Sequence, residues 1–359
     1  MQYAFYLDSS SCSGCKACQA ACKDRNGLEA GRVWRRVYEV SGGGWSRAGE
    51  AWVSSVFAYN LSLSCNHCAL PACQDACPAG AISRRPDGIV LIDETKCLGC
   101  GYCAWACPYG APQYDARAGR MTKCNFCVED IVAGRPPACV AACPLRVLEY
   151  GDRLELQRRH AESRQVYPLP DPAYTQPGLV LTPHQAAGAA QAGPARVANR
   201  EEVHPQERSS EAKKETPLVA FTLLAQMAAG LILALAFLQA SPVIAAAGLG
   251  SLALDRIFLA AGALAGLSML ISLLHLGNPW QAYRAVTNLR TSWLSREIFF
   301  SACLVGGWIA LAGLRGFPAV PAWVQRLGII CLALIGLGLV YSMARLYRLR
   351  AVAAWNTWA

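Results

Sequence analysis

Charge is scarce in this sequence of 359 residues. Charged residues make up 16% of it and hydrophobic ones 54%, which is apolar for a soluble protein. The scarcity is uneven. From Pro217 onward there is no lysine, and Asp255 and Glu297 are the only acids beside nine arginines. That part carries +7, while the 24 basic and 22 acidic residues before Pro217 leave +2 of the formal +9. A basic excess confined to the apolar part points to a membrane surface and away from nucleic acid. Met1 to Leu7 lacks a basic n-region and an apolar h-region, so no secretory signal is expected there. Also missing is any recognisable constellation of acid, base and nucleophile, so no residue is singled out as catalytic.

Cysteine is what the chain has in quantity, 18 in all. Cys97, Cys100, Cys103 and Cys107, followed by Pro108, read C-x2-C-x2-C-x3-C-P, the bacterial ferredoxin spacing for an iron–sulfur cluster. Three thiolates on one tight loop reach corners of one cubane, and the fourth leaves across the turn for a neighbouring cluster. Cys12, Cys15, Cys18 and Cys22 repeat the spacing; Cys65, Cys68, Cys73 and Cys77 widen one gap to C-x2-C-x4-C-x3-C-P; Cys124, Cys127, Cys139 and Cys143 read C-x2-C-x11-C-x3-C-P. Sixteen cysteines thus fall into four quartets, which implies four 4Fe–4S clusters. Disulfide scaffolds belong to small secreted chains. Zinc sites use C-x2-C in twos rather than in runs of three, and a structural-zinc membrane scaffold stays as the reading from another class. Cys303 and Cys331 stand singly in apolar runs and are expected to be packing residues.

The length allows two domains or more. Residues 1–165 carry strand and turn signals: Gln2 to Leu7 alternates, Val33 to Val40 and Trp52 to Tyr59 flank a turn at Gly42-Gly43-Gly44, and Pro86-Asp87-Gly88 precedes an apolar strand at Ile89 to Ile92. A further hairpin is expected around Ala116 to Gly119. Hairpins with short helices after each Cys-Pro are the plan of a two-cluster ferredoxin, here doubled. Residues 166–216 change texture, with Pro168 to Pro172, Pro177, Pro183, an Ala/Gly/Gln run from Gln185 to Pro194 and dense charge from Glu201 to Glu215. They are expected to be an extended wrap and a flexible linker without secondary structure, with His184 and His204 solvated.

Residues 217–359 hold four apolar segments, about 218–239, 257–276, 298–314 and 324–341, each of a length that spans a bilayer. The expected fold class is therefore α+β: a doubled ferredoxin-like four-cluster domain followed by an all-α transmembrane bundle of four helices. Four spans put Lys213, Lys214, Arg284, Arg290, Arg296, Arg345, Arg348 and Arg350 on one side and Arg256, Arg315 and Arg326 on the other. The positive-inside rule then places the cluster domain in the cytoplasm, at the inner membrane. Trp280, Tyr283, Trp293 and Trp355 lie near that face as interfacial anchors. His275 closes the second span on the same side, where an imidazole could hydrogen-bond a quinol oxygen and take its proton; an interfacial histidine with satisfied hydrogen bonds is the other reading. A chain of clusters without a substrate pocket moves electrons between a membrane donor and a catalytic partner.

These motifs carry a family resemblance. Cys97 to Tyr114 and Met121-Thr-Lys-Cys-Asn-Phe-Cys127 resemble the iron–sulfur subunit of the dimethyl sulfoxide reductase family of molybdopterin oxidoreductases. His275-Leu-Gly-Asn-Pro279, Ser292 to Glu297 and Arg350 to Trp358 resemble that enzyme's membrane anchor, so the chain looks like a fusion of the two. The resemblance implies menaquinol as donor, a separate molybdopterin catalytic subunit as partner, and a small oxidant such as a sulfoxide or N-oxide. It implies cross-paired ligation: Cys12, Cys15 and Cys18 with Cys143; Cys124, Cys127 and Cys139 with Cys22; Cys65, Cys68 and Cys73 with Cys107; Cys97, Cys100 and Cys103 with Cys77. Of these the first would lie toward the catalytic subunit and the last toward the quinol. His275 matches the family's quinol-site histidine. That anchor has eight spans where four are found here; either a half-anchor suffices, or the gene is split and a partner supplies the second half, or the sequence is a fragment. The alternatives that keep the wire are a polysulfide, tetrathionate or arsenate reductase, or a quinone-reducing dehydrogenase.

Overall fold

The structure, a computed structural model, describes residues 1–192, 195–198, 205–240, 251–315, 317, 320–349 and 351. His204, Arg350, Trp355 and most of the Arg350 to Trp358 run lie outside the described residues.

The alternating N-terminal segment is a strand, Tyr3–Asp8, and it sits in the middle of a three-stranded sheet. Leu148–Asp152 pairs antiparallel on one side, with Tyr3 opposite Asp152, and Leu179–Thr182 pairs parallel on the other, with Phe5 opposite Leu179. The second parallel strand comes from the proline-rich stretch, so this part of the wrap belongs to the sheet. Val37, Val40, Tyr59 and Leu61 close the same core from a second sheet, in which Arg36–Gly42 pairs antiparallel with Phe57–Leu63. The turn expected at Gly42 to Gly44 is instead the root of a separate exposed hairpin, Trp45–Ala48 with Ala51–Ser54. Small hairpins Ile82–Arg84 with Val90–Ile92 and Gln113–Asp115 with Arg120–Thr122 stand where the Asp-Gly and Ala-Gly turns place them.

The short helices lie before the Cys-Pro pairs, not after them. Ala72–Ala76 ends at Cys77 and Tyr102–Ala106 ends at Cys107, both of which turn extended at ψ 113° and 114°. The proline ring that follows excludes its predecessor from the helical region, so each helix stops at the fourth cysteine. The third cysteine (Cys73, Cys103 or Cys139) rides on the helix itself.

Two expectations for residues 166–216 are overturned. Pro205–Ala240 is one helix with Pro217 inside it, so the charged run from residue 205 is helical rather than a flexible coil. Its Glu and Lys residues are good helix formers, and continuity with an apolar span supplies what the run lacks in periodicity. His184 is half-buried, stacks on Tyr59 at 5.6 Å, and its Nδ1 accepts the Ala186 amide at 3.1 Å.

Among the described residues four helices are long and apolar enough to cross a membrane: Thr216–Ala240, Ala253–Leu273, Trp293–Arg315 and Ala322–Leu346. The first packs on the second and fourth, and the third on the fourth, around Phe221, Ile232, Phe258, Leu304 and Leu332. The second ends at Leu273, which leaves His275 in a turn beyond it. Cys303 is half-buried and Cys331 is exposed on its span.

Candidate iron-sulfur and quinol sites

The four C-x2-C loops are one loop used four times. The second residue after the first cysteine is left-handed in each: Gly14 at φ 72°, His67 at 42°, Gly99 at 70° and Phe126 at 62°. Left-handed turns point successive backbone N–H groups inward, and several reach sulfur. The Ala81 amide donates to Cys77 Sγ at 3.3 Å, Met121 to Cys97 Sγ at 3.4 Å and Phe126 to Cys124 Sγ at 3.4 Å.

The folded chain regroups the quartets. Cys65, Cys68, Cys73 and Cys107 line one recess of about 370 Å³. Cys77 joins Cys97, Cys100 and Cys103 around a second of about 330 Å³, and Cys143 joins Cys12, Cys15 and Cys18 around a third of about 360 Å³. Cys22 lies within electrostatic reach of Cys139 and Cys127, and Cys124 within reach of Cys22 and Cys139. All 18 cysteines are free thiols.

The donor set suits an iron–sulfur group. Each set is four thiols in apolar walls, with N–H donors aimed at sulfur, the environment that stabilises and tunes cluster thiolates. Among the described residues no three His, Cys, Asp or Glu side chains converge closely enough for a single metal ion; the sulfurs surround a volume instead. Burial pushes the free Cys22 and Cys68 thiols up to about 12, so a bound metal must supply the positive charge that ionises them.

The set containing Cys97 is built against the anchor. The Asn278 amide donates to Leu98 O at 3.1 Å, Asn288 Nδ2 to Cys77 O at 2.9 Å, Ser292 Oγ to Ala76 O at 2.9 Å and Tyr102 Oη to Leu346 O at 3.2 Å. Leu276, Ala285 and Ile298 pack on the apolar cluster that holds Cys77, Cys97 and Cys103. Trp280 and Tyr283 on the adjoining 3-10 helix Pro279–Val286 are 91% and 67% exposed, whereas Trp293 lies under the Arg296 and Arg345 guanidinium groups.

His275 sits at this junction, one residue from Leu276. Its Nδ1 is buried without a hydrogen-bond partner, and burial holds the imidazole below its usual pKa against an opposing pull from the Ser272 backbone. Glu297, one residue from Ile298, is fully buried, and both carboxylate oxygens lack a partner. The carboxylate lies within electrostatic reach of Tyr102, whose hydroxyl is raised in pKa by burial first and by Glu297 second. The sequence reading missed Glu297. The signal was present: it is one of two acids in the 143 residues from Pro217 onward, and an ionisable group inside a membrane span is functional by default.

Four spans, a cysteine-lined domain docked on one end of them and polar groups stranded at the junction define a membrane-anchored iron–sulfur electron-transfer protein. Residues 56–153 match the 4Fe-4S dicluster domain family, and residues 210–359 match the DMSO reductase anchor subunit family, DmsC. The B subunit of anaerobic dimethyl sulfoxide reductase from Escherichia coli is 49% identical over 183 residues, 51% of this chain and 89% of the relative. The Haemophilus influenzae B subunit is 47% identical over 187 residues, 52% and 91%. The thiosulfate reductase electron transfer subunit PhsB of Salmonella typhi is 38% identical over 160 residues, 44% and 80%. The chain belongs to the family of dimethyl sulfoxide reductase electron-transfer subunits, fused here to the anchor of the same system. It transfers electrons, anchors in the membrane as a multi-pass protein, and serves a separate catalytic subunit.

Proposed function

We propose that the chain takes electrons from menaquinol at the junction between anchor and cluster domain and delivers them to a molybdopterin subunit that reduces a small oxidant, a sulfoxide or N-oxide. The observation that carries this reading is the docking of the His275 turn on the Cys97 loop through Asn278 and Leu98. Leu276 and Ile298, the neighbours of His275 and Glu297, pack on that cysteine cluster, so two buried ionisable groups with unpartnered polar atoms flank the junction. Four 4Fe–4S clusters are assigned, held by the four regrouped sets in the cross-paired pattern. When bound, they pass single electrons.

The chain's own residues then have distinct tasks. Neutral His275 accepts a hydrogen bond from one quinol hydroxyl and takes its proton, because burial keeps the ring unprotonated in the resting state. Glu297, a buried carboxyl at the junction, relays the other proton, so each quinol gives up two protons and, one at a time, two electrons. Cys15, the exposed member of the sixteen, marks where the catalytic subunit meets the far end. We place the cluster domain on the cytoplasmic side, by the arginine bias of the loops.

The test is anaerobic detergent purification from the native host, with identification of co-purifying chains and iron per polypeptide. About sixteen irons and a large molybdopterin-type partner are expected. Zinc in place of iron, or no such partner, would sink the proposal.

A further inference from the structure

Two cations are buried among the cysteine sets, and neither has a carboxylate. Arg35 is 1% exposed and Lys123 4% exposed, and neither forms a salt bridge among the described residues. Arg35 donates to Ser62 O at 3.1 Å, Ser62 Oγ at 3.2 Å and Ser64 Oγ at 2.9 Å, and lies over the Phe5 ring at 4.4 Å. Ser62 Oγ stands 3.2 Å from Cys18 Sγ, so the guanidinium reaches the Cys12 set through one hydroxyl. Lys123 lines the recess of Cys65, Cys68, Cys73 and Cys107. Its Nζ donates to the carbonyls of Val90 and of Cys124, at 3.1 Å to the latter.

An uncompensated buried charge is costly, and neutral carbonyls and hydroxyls offset only part of it. The anions available are the thiolates. Those within electrostatic reach of Arg35 are Cys139, Cys18, Cys124 and Cys22; for Lys123 they are Cys65, Cys73 and Cys124. In space the order is the Cys12 set, Arg35, the Cys22 set, Lys123, the Cys65 set. The set at the anchor has no such cation among the described residues.

Resting on the four-cluster reading, we infer that Arg35 and Lys123 are the fixed counter-charges of the three outer clusters, each placed between two of them, and that they raise the reduction potentials of those clusters. A positive charge in a low-dielectric surrounding favours the reduced, more negative state of its neighbours. Lysine and arginine serve here as positioning residues, since neither ligates.

The test is potentiometric titration followed by electron paramagnetic resonance on the whole complex in native membranes, with iron content measured alongside. Lys123→Gln and Arg35→Gln are each expected to lower two of the four midpoints, one of them shared, and to leave at least one unmoved; Lys123→Arg and Arg35→Lys should hold the parent values. Unmoved midpoints in the neutral variants at full iron content would overturn the inference. Should the neutral variants fail to assemble, assembly of the charge-keeping pair at parent midpoints supports it, and their failing alike overturns it. A parent complex with far fewer than about sixteen irons would remove the four-cluster reading itself, a separate result.

Discussion

Gly277 of the anchor and Gly119 of the cluster domain meet backbone against backbone. A methyl group added at Gly277 would collide with the Gly119 carbonyl and stand 2.8 Å from the Tyr114 hydroxyl, and one added at Gly119 would stand 2.7 Å from Gly277 O. A methyl group added at Gly99, in the loop that carries Cys97 and Cys100, would collide with the Gly119 carbonyl and stand 3.0 Å from Gly277 Cα. Three glycines therefore set how closely the His275 turn approaches one cysteine set. Gly99 and Gly119 also hold left-handed backbone, at φ 70° and 65°, a conformation costly to other residues.

Gly277→Ala should accordingly disturb docking without touching a ligand. Overpacking against rigid backbone costs about 1–3 kcal/mol, and the turn has to retreat. Reduction of the clusters by a quinol analogue should slow while reduction by dithionite and the iron content stay at the parent level. Unaltered quinol kinetics in that variant would show that the approach is not what the junction provides.

The regrouping of cysteines gives a sharper test of ligation. Cys143 follows Cys139 by four residues, yet it faces the recess of Cys12, Cys15 and Cys18. Cys143→Ser should therefore alter the spectroscopic signature of the same cluster as Cys12→Ser. Cys22→Ser should alter a different one, shared with Cys124→Ser. Paramagnetic resonance of the reduced variants reads this directly; pairing within each sequence quartet would contradict it.

Iron removal should unfold one half of the molecule and spare the other. The helices between ligands have four to nine residues, too short to stand alone, and cysteines form much of the core there. Thiols that sit at about 12 when free, such as Cys22 and Cys68, release protons as metal binds, so lower pH favours loss of the metal. Chelation under oxidising conditions should proceed faster as pH falls. It should abolish protease resistance before residue 200 while circular dichroism retains the helices of the four spans.

The quartets and the spans were legible because chemistry or bilayer thickness fixes their spacing. Other features were not, for physical reasons. His67 and Phe126 occupy the left-handed position that Gly14 and Gly99 fill in the sister loops, and neither residue type announces a turn. Arg35 lies in a strand-like run between Trp34 and Arg36, where only tertiary packing distinguishes the buried arginine from its half-exposed neighbour. The helix through Pro217 runs against the usual meaning of an internal proline.

His275 and Glu297 make the quinol reading testable by pH. Burial keeps the folded-state pKa of the imidazole below 6.5, so the proton-accepting form persists through that value and is lost only at lower pH. Measured in the Glu297→Gln background, so that the carboxyl does not titrate, quinol-driven cluster reduction should stay level as pH falls to 6.5 and decline only at lower pH; a midpoint at or above 6.5 would contradict the assignment of His275. His275→Ala should abolish that reduction with cluster content unchanged. Glu297→Gln keeps the shape but cannot take up a proton. It should slow the reaction at least tenfold, about 1.4 kcal/mol in the barrier, while dithionite still reduces every cluster. Normal quinol turnover in Glu297→Gln would mean that the second proton leaves by another path and that the buried carboxylate serves the packing of the anchor.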